Sequence, residues 1–333
     1  MMKLAIICFL CFIQSFITAQ TKYVFNQPKM GSPFIITVFA RDTEGLQAVV
    51  DKAYIRVDEL NKVFSDYDST SEISKLARTY KVGEWYSVSN DLYYMLRISL
   101  DAARSSSGAF DVTVGNVVKL WRKAKKTNVM PNVVERKAAL LKTGWQHVKI
   151  DEKNRKISFN TEGVLLDFGG IVKGFAAEIA VEILTLNKFP MCLVDAGGDL
   201  AVGNKPDNDD WQIAISVPQS DVALMPQMLN LKNQAVATSG DMYNNVSFEG
   251  KRYSHIVNPK TGMGLTHQRN VTIIAPSGDL ADWLATACSV LPIKKAMKLV
   301  QKYRNTELLI LEMRKGKIKS WQTSGFTKYF SLN

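Results

Sequence analysis

Residues 164–186 read VLLDFGGIVKGFAAEIAVEILTL. Val164, Leu165 and Leu166 predict a short buried strand ending at Asp167, and helical spacing then runs from about Val172 to Leu186. Between them stand Gly169 and Gly170. Paired glycines let the backbone approach a ligand closely, and the free N–H groups at a helix start favour an anion. Lys173 adds a positive charge one turn in. The stretch lacks the GxxxxGK spacing of a Walker A loop, and an ordinary tight strand-to-helix turn has the same pattern.

Working outward, Phe34–Phe39 is a β-rich run, and Thr43–Phe64 carries apolar residues at helical spacing. A second amphipathic helix is predicted over Asp91–Ala103, and a hairpin over Gly144–Asn160 with Asp151–Asn154 at its turn. Strands are expected at Met191–Val194, Trp211–Val217, Met228–Val236, Lys251–Ile256 and Val271–Ala275. Helices follow over about Gly278–Val290 and after Pro292, and strands at Glu307–Glu312 and Lys317–Gln322 close the chain. Strands mixed with helices, without regular βαβ alternation, give an α+β fold class. No internal repeat or linker divides residues 20–333, so one domain is expected, with a smaller lobe around 60–130.

The first 19 residues, MMKLAIICFLCFIQSFITA, combine an early Lys, an apolar run and a small residue at the end. That is the pattern of a secretory signal peptide, and it implies an exported, periplasmic protein. Ile7 and Leu10 precede Cys8 and Cys11, where a lipid-anchor site wants a small residue, so no lipid anchor is expected. The chain carries 42 Lys+Arg against 31 Asp+Glu, a formal charge of +11. Its densest basic cluster, Arg122-Lys123-Ala124-Lys125-Lys126, lacks interleaved aromatics and reads as a solvated loop or helix face; no nucleic-acid partner is expected. Cys192 and Cys288 lie in apolar runs, as buried small hydrophobes do.

Two further segments bear directly on chemistry. In Asp279–Ala287, Asp282 and Thr286 are four apart and share a helix face. One carboxylate and one hydroxyl make a hard, oxygen-only half-site of the kind that suits Mg²⁺, although Asp282 would also favour the helix dipole on its own. In Ser254–Gly262, His255 stands where a strand enters a polar turn, and it can act as acid, base or donor near neutral pH. The loops Val194–Asp199 and Ala237–Asp241 bear glycines after buried strands.

In chain order the motifs are MGS (30–32), FSDYDSTSEIS (64–74), GAFDVTVG (108–115), LDFGGIVKG (166–174), VDAGGD (194–199), TSGD (238–241), HIVNPKTG (255–262) and ADWLATA (281–287). This ordered set resembles the ApbE-type FAD:protein FMN transferases, from Met30 to about Pro292. The resemblance implies a compact two-lobed, T-fold-related α+β architecture with FAD in a cleft between the lobes. It also implies the activity: Mg²⁺-dependent cleavage of FAD as substrate and attachment of FMN through phosphate to a Thr or Ser of an exported acceptor protein, releasing AMP. A membrane respiratory redox subunit would be such an acceptor.

Carried over by position, Met30 and Tyr67 would contact the flavin, Tyr67 by stacking. Ala109, Phe110 and Asp111 would line the adenine–ribose end, and Asp167 would hold the nucleotide. Gly170 would offer its carbonyl to the metal beside Asp282 and Thr286. Lys173 would face the phosphates, and His255 would meet the acceptor hydroxyl. Asn258 stands where the family commonly has Asp, and Lys260 where Arg is common. Two other readings share these residues: a protein that holds FAD without transferring it, and a Mg²⁺-dependent FAD pyrophosphatase.

Overall fold

Alternate residues Phe34, Ile36 and Val38 are fully buried, the period-two signature of a strand with one face on a core. They belong to β2 (Ser32–Ala40), which pairs with β1 (Thr21–Lys29) across a two-residue turn. The turn is Met30-Gly31, both at positive φ, as in a type I′ hairpin. The computed structural model describes residues 20–215, 228–240 and 245–330. The leader read at 1–19, the end of the strand read at 211–217, and Asp241 lie outside the described residues.

Along the chain, α1 (Leu46–Phe64) packs its apolar face on the core, and α2 (Glu72–Thr79) starts at a Ser71 side-chain cap. β3 (Trp85–Ser87) and α3 (Asn90–Ser105) follow. Next come α4 (Gly115–Thr127) and α5 (Val133–Leu140), the latter opened by an Asn132/Glu135 capping box. The expected hairpin is β4 (Val148–Asp151) with β5 (Lys156–Phe159). Residues 164–167 form no sheet strand. Leu165 makes one isolated bridge to Val114, and Asp167 N donates to Val112 O at 2.7 Å, so this run pairs with the lead-in to α4.

After α6 (Val172–Leu186) come β6 (Cys192–Asp195), β7 (Asp199–Val202), β8 (Trp211–Ala214), β9 (Met228–Leu231) and β10 (Gln234–Gly240). The single strand expected over 228–236 is therefore two, broken at Asn233, whose φ is positive. Thr238, Ser239 and Gly240, read as a loop, lie in β10. The chain continues through β11 (Asn245–Phe248), β12 (Lys251–Ser254), β13 (Val257–Asn258), β14 (Met263–Gly264) and β15 (Gln268–Ala275). It closes with α7 (Gly278–Val290), α8 (Ile293–Val300), β16 (Glu307–Arg314) and β17 (Lys317–Gln322).

One eight-stranded sheet, ordered β1-β2-β6-β7-β10-β15-β16-β17, organises these elements, and every neighbouring pair is antiparallel. Helices α1, α6 and α7 belong to the large core on one face. On the other face the β8–β9 hairpin and Phe326–Tyr329 bury Trp211, Leu229, Val236 and Ile274. Helices segregated from an antiparallel sheet make the fold α+β. A separate cluster joins Val117 and Trp121 of α4 and Ala139 of α5 to Tyr253 and Val257.

Helix α6 meets α7 backbone to backbone. A Cβ on Gly174 would stand 2.0 Å from Gly278 O, and one on Gly278 would stand 2.0 Å from Gly174 O. Both termini of α7 are held by charge. Glu178 Oε2 accepts from Gly278 N at 2.9 Å, and Arg269 Nη1 donates to Leu291 O at 2.9 Å from a buried pair with Glu312. Each sign complements the helix dipole.

Two outcomes follow from this crossing. Gly174→Ala is expected to lose about 3 kcal/mol through overpacking, seen as a melting midpoint lower by roughly 5 °C. Burial, and then Asp279 nearby, push the Glu178 carboxyl up to about 7. Because the folded state keeps that proton while the unfolded chain has released it, stability falls as pH rises from about 4.5 to 7 and levels off above. The loss is at most about 3 kcal/mol, and Glu178→Gln should flatten that part of the melting-midpoint profile between pH 5 and 8.

Candidate active site

A cavity of about 1310 Å³ opens beside the α6–α7 crossing, and every site residue named from the sequence lies on its wall. Met30 comes from the β1–β2 turn, Tyr67 from the segment after α1, and Ala109, Phe110 and Asp111 from the loop after α3. Asp167 and Gly170 flank the bend before α6, Lys173 is in its first turn, His255 follows β12, and Asp282 and Thr286 project from α7.

At the helical end the geometry follows from the glycines. A Cβ on Gly170 would come within 2.8 Å of Thr286 Oγ1, so only glycine lets the bend lie against that hydroxyl. Thr286 Oγ1 in turn is 3.4 Å from Ser239 Oγ of β10. Asp282, only 3% exposed, accepts from Gly174 N at 3.1 Å through Oδ2. Lys173 Nζ donates to Asp199 Oδ2 at 2.5 Å.

Burial, and then the Asp199 charge, push the Asp282 carboxyl well above the usual carboxylate range, against Lys173 and the Gly174 N–H. Burial alone would lower Lys173, but Asp199, Asp282 and Asp195 together shift it upward, so it stays a cation. Asp199, Asp282 and Asp195 thus surround one ammonium, and a bound cation would favour the ionised form of Asp282. Among the described residues no group of three or more His, Cys, Asp or Glu side chains is arranged to hold a metal. A cation at this end would rest on the Asp282 carboxylate, the Thr286 hydroxyl and the Gly170 main chain, all hard oxygens that fit Mg²⁺.

The other end is aromatic and ion-paired. Tyr67 is 80% exposed, and the Arg122 guanidinium carbon lies 4.1 Å from its ring centroid. Arg122 also pairs with Asp66, and with Asp167 Oδ2 at 3.2 Å. Asp167 Oδ1 accepts from Gly169 N at 2.8 Å, which ties this carboxylate to the glycine bend. Burial, then Asp66, raise the Asp167 carboxyl, against the Gly169 N–H and Arg122. Asp111 spends its oxygens on Thr113 N, Thr113 Oγ1 and Trp145 N, and so braces the wall formed by Ala109 and Phe110.

His255 is exposed on the cavity wall. The turn after it explains Asn258: its Oδ1 accepts from Lys260 N at 2.9 Å, its carbonyl accepts from Gly262 N, and it is not on the cavity wall. An amide oxygen serves that turn as a carboxylate would. Trp121 Nε1 pins the same turn to α4 by donating to Gly262 O at 2.8 Å.

Sequence reasoning left Asp66, Arg122, Asp195, Asp199 and Ser239 without a role, yet all line the cavity. Asp66, Asp195, Asp199 and Ser239 stand inside the quoted motifs. Arg122 was grouped with a solvated basic cluster; the cavity spacing Val114, Val118, Arg122 on α4 was the available signal.

Comparison with known proteins bears on the whole chain. Residues 30–310 match the ApbE family. The FAD:protein FMN transferase of Vibrio cholerae is 28% identical over 312 residues, covering 91% of both chains. That of Haemophilus influenzae is 28% identical over 301 residues, covering 86% of both. Among solved structures, the flavin transferase ApbE from Vibrio cholerae superposes with a TM-score of 0.82 at 25% identity, covering 93% of this chain and 99% of that one. The ApbE protein of Thermotoga maritima gives 0.81 at 29% identity, covering 94% and 100%. With the family matched across most of its length and the fold shared end to end, this chain belongs to the ApbE family.

Proposed function

We propose that this chain is an FAD:protein FMN transferase that moves FMN from FAD onto a Thr or Ser of an exported acceptor protein and releases AMP, with Mg²⁺ at the Gly170–Asp282–Thr286 end of the cavity. Family membership supports the activity. The observation that carries the site is the convergence on one cavity of the glycine bend, the carboxylate and hydroxyl of α7, and Lys173. A bound Mg²⁺ would neutralise charge on the diphosphate.

The remaining work is positioning. Tyr67 offers an exposed ring on which a flavin stacks. Lys173, kept cationic by its carboxylates, lies beside the α6 N-terminus, where diphosphate oxygens find both N–H groups and charge. The acceptor's hydroxyl oxygen attacks the phosphorus that bears the riboflavin. The bond from that phosphorus to the bridging oxygen breaks, the oxygen leaves with AMP, and His255 takes the hydroxyl proton. His255 is exposed on the cavity wall, which suits approach of a protein segment. The apolar run at 1–19 supports export to the periplasm, where a membrane respiratory subunit is a suitable acceptor.

Purified protein incubated with FAD, Mg²⁺ and an acceptor carrying a Thr/Ser flavinylation site is expected to give a fluorescent acceptor band and a mass gain of one FMN. Retention of intact FAD would make the chain a flavin holder, and free FMN with AMP but no labelled acceptor would make it a pyrophosphatase. Asp282→Ala should cut transfer by roughly 100-fold or more; near-normal turnover in that variant would remove the metal from this end of the cavity.

A further inference from the structure

Arg122 is held in a way that no basic surface residue requires. From α4 its guanidinium reaches the segment after α1, where it pairs with Asp66 and lies over the Tyr67 ring, and the bend before α6, where it pairs with Asp167. Its Cζ is 4.1 Å from the Tyr67 ring centroid, a stacking distance. The two carboxylates are buried much more deeply than the ring they flank: their side chains are 15% and 9% exposed, while Tyr67 is 80% exposed. A large aromatic ring left in water gains little by itself. One backed by a guanidinium that two carboxylates pin in place is a held surface, and the ring lines the cavity while remaining largely exposed.

We infer that Arg122 is a positioning residue for the flavin, setting the Tyr67 ring as a rigid stacking face and cancelling the charge of Asp66 and Asp167 where an anionic dinucleotide enters. This rests on the reading of the cavity as an FAD site. The planar fork of arginine meets both carboxylates and stacks at the same time, whereas lysine, a point charge on a flexible stem, pairs without stacking. Arg122 also reaches past Tyr67, because the Asp167 that it holds fixes Gly169 through its other oxygen. The aromatic platform and the glycine bend are therefore set by one side chain.

The test uses the full chain and Arg122→Lys, Tyr67→Leu and the double variant, each checked for fold by circular dichroism. In ligand-free protein with ¹⁵N-labelled arginine, the Arg122 Nε–Hε signal, identified by its loss in Arg122→Lys, should be shielded by the ring and move downfield in Tyr67→Leu. An unmoved signal overturns the clamp. In titrations with FAD followed by flavin fluorescence, each single variant should bind about tenfold more weakly. The double variant should bind no more weakly than the worse single one, with the loss in KM for FAD rather than in kcat. Losses that multiply would mean that Arg122 acts on FAD binding independently of the Tyr67 ring, and would overturn its setting of that ring while leaving the FAD site intact. A wild-type protein that binds no FAD would sink the site reading and the positioning role together.

Discussion

The site depends on a contact between two glycines. Where α6 crosses α7, Gly174 and Gly278 leave no room for a Cβ on either side, so the helix backbones touch. That approach brings Asp282, one turn into α7, against the Gly174 N–H near the start of α6. Thr286, one turn further on, then lies against Gly170. The α6 N-terminus, the glycine bend and the α7 oxygens thus form a single construction. Moving the helices apart by even a methyl group would separate the Asp282 carboxyl from the N–H that it accepts from, leaving a buried polar group without its partner.

The same crossing explains how carboxylates can gather at low exposure. Asp199 and Asp282 are almost wholly buried, and a buried carboxylate such as Asp199 persists only when paired. Lys173 is the partner the fold provides. It comes from the first turn of α6, opposite the end of β7 where Asp199 begins the strand. Asp195 and Asp282 lie near the same ammonium. With the Asp282 carboxyl pushed up by burial and by Asp199, a cation there would stabilise its ionised form, and the oxygen character of the donors would suit a hard one.

Much of this was legible because the informative residues sit at fixed offsets. The spacing of Asp282 and Thr286, the Gly169-Gly170 bend and the helices α1, α3, α6 and α7 all follow from short-range periodicity, and the ordered motifs name the family. What escaped had no such period. β1 has no fully buried residue, and although its exposure alternates, Gln27 and Lys29 on the less exposed face and Val24 on the other blur the apolar pattern in the sequence. Helices α2 and α5 are eight residues long and announce themselves by caps more than by apolar stripes. The strand read at 164–167 is apolar because it is buried, but it meets the lead-in to α4 instead of a sheet. Arg122 lies inside a basic run whose three lysines are exposed. Only the tertiary placement of Asp66 and Asp167 separates it from them.

The two ends of the cavity are mechanically joined. Tyr67 rests on Arg122, and Arg122 holds one oxygen of Asp167. The other oxygen holds Gly169, and its neighbour Gly170 abuts Thr286, which meets Ser239 of the central sheet. Each link is a direct contact through a rigid group: a ring, a planar fork, a carboxylate, a bend without side chains. In FAD the flavin ring and the phosphorus that bears the riboflavin are joined by a ribityl chain of limited reach. Under the proposed function, with the reacting phosphorus at the oxygen-rich end and the flavin on Tyr67, the protein has to hold the distance between the two ends within that reach. A continuous chain of short contacts achieves this. A stacking surface on an independent loop would allow the flavin to bind with the phosphates out of reach of Asp282, and binding energy would then be gained without bringing the reacting groups together.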